Sequence, residues 1–334
     1  MTGSRQGAVS RVRQLLGTPV VRACLSLVMV FALGLIFNAD GAFFSWGTHR
    51  DMLRQVSVIG ILACGMTVVI IAGGIDLSVG SVLGLSAVLF SLFTIHDGWN
   101  PLLAALATLA AGLACGTVSG ALTGRFRIQP FISTLAMMVF ARGLAKWVSG
   151  GQKVSTAVQM PDGSYQYVPS PPVFDLLGAR IAGGHIAVVT IVLAASLIVC
   201  GIFLSRVRWG RHMYALGGNE EAARYAGIPV RATTVLAYAI SGVLCAVAGI
   251  CQAAQEVQGD PEAGTTYELS AIAMVVIGGT SLRGGQGTIW LTALGILIIG
   301  YLEKILSINA VGEETRLMLT GAIIVAAVLF QKNR

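Results

Sequence analysis

Long apolar stretches separated by short polar segments recur along the whole chain. Each stretch has about the 20 mostly apolar residues that an α-helix needs to cross a bilayer. Residues 65–87 show the pattern clearly, as two apolar segments broken by glycines and one acid, Asp76. The eighth stretch is short and ends in glycines. The pattern predicts about ten membrane-spanning helices, at 20–37, 52–72, 77–95, 101–122, 128–149, 185–205, 233–253, 268–280, 288–304 and 315–331.

The composition supports this interpretation. Only 11% of the 334 residues are charged, 55% are hydrophobic, and the mean hydropathy is +0.79. Soluble domains carry roughly 25% charged residues, and a soluble core could bury one such apolar segment but not a series of them. We therefore predict an all-α integral membrane protein in which residues 1–334 form a single transmembrane domain.

Basic residues are unevenly distributed between the polar segments. With the N-terminus placed in the cytoplasm, the cytoplasmic segments carry Arg and Lys in an excess of about two to one, as the positive-inside rule expects. This orientation places both termini and the loop 206–232 in the cytoplasm and the loop 150–184 on the periplasmic side. The basic charge thus follows topology, so nucleic acid is not an expected partner, whereas membrane lipid is.

The loop 150–184 is too polar and too rich in proline to lie in lipid. A loop of this length is often functional, and two interpretations are open: it docks a soluble partner around Tyr165 and Tyr167, or it is a simple connector. Just before it, Arg142 and Lys146 lie one turn apart near an outer helix end. We expect both cations to extend to the membrane interface.

The segment Gly217–Arg231, GGNEEAARYAGIPVR, predicts a short helix with a signal at each end. Asn219 is a favourable N-cap, and the two acids that follow it occupy the first turn, where the helix dipole favours negative charge. Gly227 is placed for a left-handed C-cap, and Pro229 prevents the helix from continuing.

This short helix has two possible roles. It is marginal alone in water, so a surface outside it must hold it in place. Ala222 and Ala226 are four residues apart and share a face, with Ala223 beside them, and a face of small residues admits close approach of another surface. By spacing alone, the helix could equally be a capped connector surrounded by cytoplasmic positive charge.

A glycine pattern, GGxxLxxG, occurs at residues 73–80 and again at 278–285, both times at a predicted cytoplasmic helix end. Among 42 glycines, coincidence explains the match better than an internal repeat. In either case the glycines permit unwound backbone or close packing. The candidate positions for translocation or gating are Gly73, Gly74, Asp76, Ser78, Gly278 and Gly279.

Asp76 is the one acid near a predicted inner helix break. An ionisable residue at membrane depth is a functional hypothesis by default. Because Asp76 precedes Leu77 and Ser78, its carboxylate could cap the next helix, or it could serve in gating or line the pathway.

The other reactive residue types form no recognisable constellation. The six cysteines lie within apolar runs without a CxxC or Cys/His cluster, and the sequence offers no Ser/His/Asp set or paired carboxylates, so we predict neither a metal site nor an enzyme. No lysine follows a glycine, which excludes a P-loop. Acids and histidines that could relay protons or sodium are nearly absent from the spans, which disfavours an ion-coupled secondary transporter.

Four stretches, in order, resemble the sugar-type permeases of bacterial ABC importers, the group that includes the ribose, xylose and arabinose permeases. They are residues 65–87, 127–135 with 142–144, 210–250 and 267–285. The EAA---G loop of that family is matched by Glu221, Ala222, Ala223 and Gly227. Residues 155–173 match no pattern of the family.

The resemblance implies a vitamin-B12-importer-like, type II ABC permease fold with about ten helices, in the bacterial inner membrane. It implies a passive translocation subunit without a cofactor of its own. Its implied partners are an ATP-binding cassette ATPase that binds the ATP, a second permease copy, identical or different, and a periplasmic sugar-binding protein. The implied substrate is a ribose-like pentose or hexose, with a nucleoside, an autoinducer or a branched-chain amino acid as alternatives.

In that family the EAA loop forms the coupling helix, which sits in a groove of the ATPase. The resemblance therefore assigns an ATPase-coupling role to Asn219, Glu220, Glu221, Ala222, Ala223 and Gly227.

Overall fold

The computed structural model describes residues 18–159, 163–319 and 321–322. The helices in chain order are α1 (Pro19–Ile36), α2 (Trp46–Ile71), α3 (Val79–Ser91), α4 (Pro101–Gly124), α5 (Pro130–Val148), α6 (Pro172–Gly178), α7 (Val188–Arg206), α8 (Arg208–Gly218), α9 (Glu220–Tyr225), α10 (Val230–Glu256), α11 (Tyr267–Gly278) and α12 (Ile289–Ile308). A 3-10 turn at Ala42–Phe44 precedes α2, and a π turn at Leu92–His96 extends α3.

Eight helices in the described part of the chain are long and apolar enough to cross a membrane: α1, α2, α3 with its π turn, α4, α5, α7, α10 and α12. They match eight of the predicted spans, although α2 begins at Trp46 rather than at residue 52. The predicted span 268–280 corresponds to α11, whose 12 residues are too few to cross a bilayer as a helix. Of the predicted span 315–331, residues 315–319 and 321–322 are helical and the rest lies outside the described residues.

The centre of the bundle is formed by α2, α3 and α10. In their most apolar windows 83%, 78% and 61% of residues are buried, against 17% in α1 and 28% in both α4 and α5. The outer helices instead expose large apolar side chains, such as Leu102 and Leu106 on α4 and Phe140 on α5. Apolar side chains that point outward all along a helix suit a lipid solvent, so the fold is that of an all-α, multi-pass membrane protein.

Glycines set the spacing between α4 and α10. On α4 they recur every fourth residue, at Gly112, Gly116, Gly120 and Gly124, and all four face α10. A Cβ atom on Gly116 would overlap the carbonyl oxygen of Tyr238. This stripe of small residues lets the two backbones approach closely, which is the usual basis of helix packing in membranes.

Within the described residues, the strands are short and lie in the loops. They are β1 (Val154–Ser155), β2 (Ala157–Gln159), β3 (Tyr165–Tyr167), β4 (Arg180–Ile181), β5 (Ile186–Ala187) and β6 (Gln258–Gly259). They pair antiparallel as β1–β6, β2–β3 and β4–β5. The β1–β6 pair ties the loop 150–184 to the segment 257–266, which joins α10 to α11. We call this side of the bundle the loop end, and the opposite side, which carries α9, the α9 end.

Candidate functional site

The short helix α9 has the two end structures that its sequence predicts. At its start, the Asn219 side-chain oxygen accepts a hydrogen bond from the Ala222 N–H at 2.9 Å. At its end, Gly227 has a φ of +77°, its N–H donates to the Arg224 carbonyl, and the Ile228 N–H donates to the Ala223 carbonyl. This pair of bonds around a left-handed residue is a Schellman motif, which favours glycine because glycine has no Cβ atom.

The small-residue face of α9 divides between the interior and the surface. Ala223 is buried against the rest of the chain, with an exposed fraction of 4%, whereas Ala222 and Ala226 are exposed. Tyr225, which the sequence did not single out, is 90% exposed. Glu220 is exposed and bonded to Arg224 at 2.6 Å, one turn along the same helix. Ala223 thus packs α9 against the rest of the chain, and the opposite side of the helix is exposed.

The helix α8, which sequence reasoning missed, precedes α9 directly. It buries Gly210, Met213 and Leu216 and exposes Arg208 and Arg211. The spacing of three between the buried residues is a helical signal that a search for uncharged spans does not detect.

Three glycine-containing segments meet where α8 ends. The Gly285 N–H donates to the Ile71 carbonyl, at the end of α2, at 2.9 Å. A Cβ atom on Gly217 would overlap that same carbonyl oxygen, and one on Gly284 would lie 2.9 Å from the Cα atom of Gly73. We call this backbone contact between the end of α2, the end of α8 and the segment 281–287 the glycine junction. It places the start of α9 next to the helix break at residues 72–78.

The two copies of the glycine pattern both end helices, but in different registers. At the end of α2 the left-handed residue is the first glycine of the pair, Gly73, whereas at the end of α11 it is the second, Gly279. Of the other pair members, Gly278 packs against the Leu291 carbonyl of α12 and Gly74 against the hydroxyl of Tyr238. The difference in register agrees with a coincidental match rather than a repeat.

Asp76 lies in the 72–78 segment between α2 and α3 and has an exposed fraction of 1%. Its Oδ1 accepts hydrogen bonds from the Ser78 backbone N–H at 3.0 Å and the Ser78 hydroxyl at 2.6 Å, and its Oδ2 accepts one from the Ser241 hydroxyl at 2.8 Å. Burial raises the pKa of the Asp76 carboxyl, while the bonds from Ser78 and Ser241 act in the opposite direction. The carboxylate therefore shapes the local turn and also joins it to α10.

A cavity of about 1060 Å³ opens at the α9 end beside the glycine junction. Gly73 and Gly74 line it together with Asn219 and Glu220, so the structure brings part of the two predicted sets together. Asp76 and Ser78 are buried and do not line it. Gly278 and Gly279 do not line it either, and Gly279 faces Pro19 of α1.

At the loop end, charged side chains hold the segment 257–266. Lys146 pairs with Glu262 at 2.5 Å and Lys153 with Asp260 at 3.0 Å. The Arg142 guanidinium donates to the carbonyls of Pro261 and Ala263.

The prediction that Arg142 extends to the membrane interface is therefore wrong. Its side chain is partly buried and turns toward the interior, where it donates hydrogen bonds to two backbone carbonyls of the segment 257–266. Backbone carbonyls away from water need such a donor. In the neighbouring loop 150–184, Tyr165 and Tyr167 on β3 are 59% and 78% exposed.

A bundle of apolar helices around a broken, glycine-rich centre, with a capped polar helix outside it, defines a membrane protein of the transport class. The chain belongs to the permease family described as "Branched-chain amino acid transport system / permease component", whose profile matches residues 50–328. Members of this family are permease components of transport systems. No solved structure matches the chain.

Similar curated proteins are sugar permeases. The chain is 36% identical over 311 residues to the ribose import permease protein RbsC of Escherichia coli K12, covering 92% of each chain. It is 38% identical to the RbsC of Bacillus subtilis over 85% of this chain and 84% of that one. It is 33% identical to the fructose import permease protein FrcC of Rhizobium meliloti, over 93% of this chain and 83% of that one.

Proposed function

We propose that this chain is the translocation subunit of an ATP-driven importer that carries a monosaccharide delivered by a periplasmic binding protein. The observation that carries the proposal is α9, a helix capped at both ends that leaves Glu220, Glu221, Ala222 and Tyr225 exposed at the surface. The names of the similar proteins support a sugar as the substrate. In this proposal the fold is the type II ABC permease fold, with about ten spans.

The contacts around α9 support a coupling role. Of the six candidate coupling residues, Asn219, Glu220, Glu221, Ala222 and Gly227 are exposed and form the part that meets a separate ATPase subunit, to which ATP binds, while the buried Ala223 holds α9 against the rest of the chain. A force on α9 would act on Gly217, which touches the end of α2 with no side chain between them. It would therefore reach Gly73, Gly74, Asp76 and Ser78 at the helix break, which we propose as gating residues together with Gly278 and Gly279.

The remaining assignments follow from the proposed role. The α9 end and both termini lie in the cytoplasm, the loop end faces the periplasm of the inner membrane, and a second permease copy, identical or different, completes the pathway. A Glu220→Cys variant in intact cells tests the orientation. We expect it to resist a membrane-impermeant thiol reagent, and rapid labelling from outside would show that the orientation is reversed.

Reconstitution tests the transport function. In liposomes that contain this chain, its ATPase and its binding protein, we expect ribose or fructose accumulation that requires ATP. The purified chain alone, under an imposed proton or sodium gradient, should accumulate no sugar. Gradient-driven uptake without the ATPase would instead identify a secondary transporter.

A second substrate class is tested in the same liposomes, because the family description names branched-chain amino acids. Leucine added in excess should leave ATP-driven sugar uptake unchanged. ATP-driven accumulation of leucine, without sugar uptake, would assign the chain to that substrate class.

A further inference from the structure

The cavity at the α9 end is lined on one side by arginines from three different segments. Arg127 lies in the loop between α4 and α5, Arg231 lies at the start of α10, and Arg283 lies in the segment 281–287. A fourth, Arg224, belongs to α9. Arginines distant in sequence, all of them exposed, thus line one open space of about 1060 Å³, which is at the upper end of the size of small-molecule sites.

The positive charge in this cavity is mostly uncompensated. Among its described lining residues, Glu220 carries the only carboxylate, and it is already paired with Arg224. Arg127, Arg231 and Arg283 form no ion pair within the described part of the chain. A concave surface lined by charges of one sign concentrates counter-ions of the opposite sign.

The chemistry of the arginine side chain indicates which anion the cavity would hold. The guanidinium fork matches the oxygens of a phosphate group better than an ammonium does.

We propose that this cavity binds a phosphate-bearing ligand, either a free small phosphate or the headgroup of a phospholipid. A phosphate that bridged Arg127 and Arg231 would connect the loop between α4 and α5 with the start of α10. Because Asn219, Glu220 and Arg224 also line the cavity, the ligand would lie against the proposed coupling helix. The binding assay below does not depend on sugar transport, so its result is independent of the proposed function.

The first experiment measures binding of inorganic phosphate to the purified full chain in detergent, by calorimetric titration at low ionic strength. We expect saturable binding that Arg231→Gln and Arg283→Gln each weaken about tenfold, the effect of losing one charge-assisted contact. Arg208→Gln is the matched control, since Arg208 is exposed at the same end but does not line the cavity. It removes the same charge and should change the affinity less than twofold.

The second experiment distinguishes the lipid source. The chain is placed in nanodiscs of phosphatidylcholine alone or of phosphatidylcholine mixed with the anionic lipid phosphatidylglycerol, and its thermal unfolding is followed. If the ligand is a headgroup, phosphatidylglycerol raises the melting temperature of the wild type but not of Arg231→Gln. If it is a free phosphate, added phosphate does so in either disc.

Three outcomes would overturn the proposal. The first is an absence of saturable phosphate binding combined with an equal response of wild type and Arg231→Gln to phosphatidylglycerol. The second is that Arg208→Gln weakens binding as much as Arg231→Gln, because the effect would then be one of general charge. The third is binding to the isolated chain that disappears in the complex with the ATPase, because a partner's acidic side chains would then occupy the cavity. Elution of each variant as the wild-type species in gel filtration confirms that it is folded.

Discussion

At the α9 end, α2, α8 and the segment 281–287 meet backbone to backbone, whereas at the loop end the segment 257–266 is held by charged side chains. The α9 end uses glycines, with a Cβ atom on Gly217 or Gly284 too close to its neighbour's main chain. At the loop end, Arg142 and Lys146 lie on α5 and Lys153 directly precedes β1. Their side chains contact backbone carbonyls and carboxylates of the segment 257–266.

The two kinds of contact respond differently to force and to solution conditions. A contact between two backbones contains no side chain that could rotate away, so a displacement of one segment moves the next. For the same reason, an added methyl group at such a contact is destabilising. Exposed ion pairs are weak, individually about 0–1 kcal/mol, and are screened by salt. The α9 end is therefore suited to transmit a movement, and the loop end to open and close.

The largest effect is expected at the glycine junction. In Gly217→Ala the new methyl group meets the Ile71 carbonyl oxygen and lies 2.6 Å from the Gly285 nitrogen, and neither backbone atom can rotate away. We expect a destabilisation of about 3 kcal/mol, at the upper end of overpacking costs, measured as a fall in the denaturant midpoint in detergent, together with loss of sugar uptake.

Gly218→Ala is the matched control, one residue further along the same helix. A Cβ atom there would have no neighbour within 4 Å, and alanine favours a helix over glycine by up to about 1 kcal/mol. We expect unchanged or slightly raised stability and normal uptake. Equal effects of the two substitutions would show that the helix end, rather than the junction, sets the sensitivity.

A smaller effect is expected at Asp76, a buried acid in the α9 half of the molecule. Asp76→Ala removes the acceptor for the Ser78 and Ser241 hydroxyls in a buried place, which should cost about 2 kcal/mol. Asp76→Asn keeps an acceptor oxygen and nearly the same volume, so it should lose less than half as much. If Asn destabilises as strongly as Ala, the negative charge and not the hydrogen bonds holds the break to α10.

The sequence predicts the α9 end better than the loop end, for physical reasons. The caps of α9 are local, since Asn219 and Gly227 act on backbone groups within four residues, and the spans follow from apolar runs that lipid requires. The partners of Arg142 and Lys153 are more than a hundred positions away in the chain. Composition therefore could not reveal them, and the position of Arg142 near an outer helix end suggested the membrane interface instead. The helix α8 was missed because it is short and carries exposed arginines.

Arg142 gives the third effect and tests how much the segment 257–266 depends on this partly buried cation. Arg142→Gln should lower stability by about 1 kcal/mol, because the Pro261 and Ala263 carbonyls lose a charged donor. The expected measurement is a lower melting temperature and faster proteolysis within residues 257–266. Lys146→Gln, which breaks only an exposed pair with Glu262, should change both by less. The reverse order would mean that the surface pairs, and not the carbonyl contacts, hold the segment.

The smallest effect is a pH dependence confined to the loop end. The hydrogen bond and the charge of Asp260 raise the pKa of Lys153 above its ordinary value of 10.5. A cation whose pKa is higher in the folded state stabilises that state fully below the unfolded pKa, and this contribution is lost as the pH rises through the folded pKa. Wild-type stability should therefore fall above about pH 10.5 at low salt. Lys153→Arg should lose less stability over the same pH range, because a guanidinium stays charged there, and the difference between wild type and Lys153→Arg should shrink in 1 M salt.

The control is Lys153→Gln, which has no charge to lose and therefore supplies the baseline slope from the other groups that titrate at alkaline pH. Parallel wild-type and Lys153→Gln curves would show that the Lys153–Asp260 pair, although 3.0 Å long, contributes nothing to holding the segment, which would then rest on Arg142, Lys146 and the β1–β6 pairing.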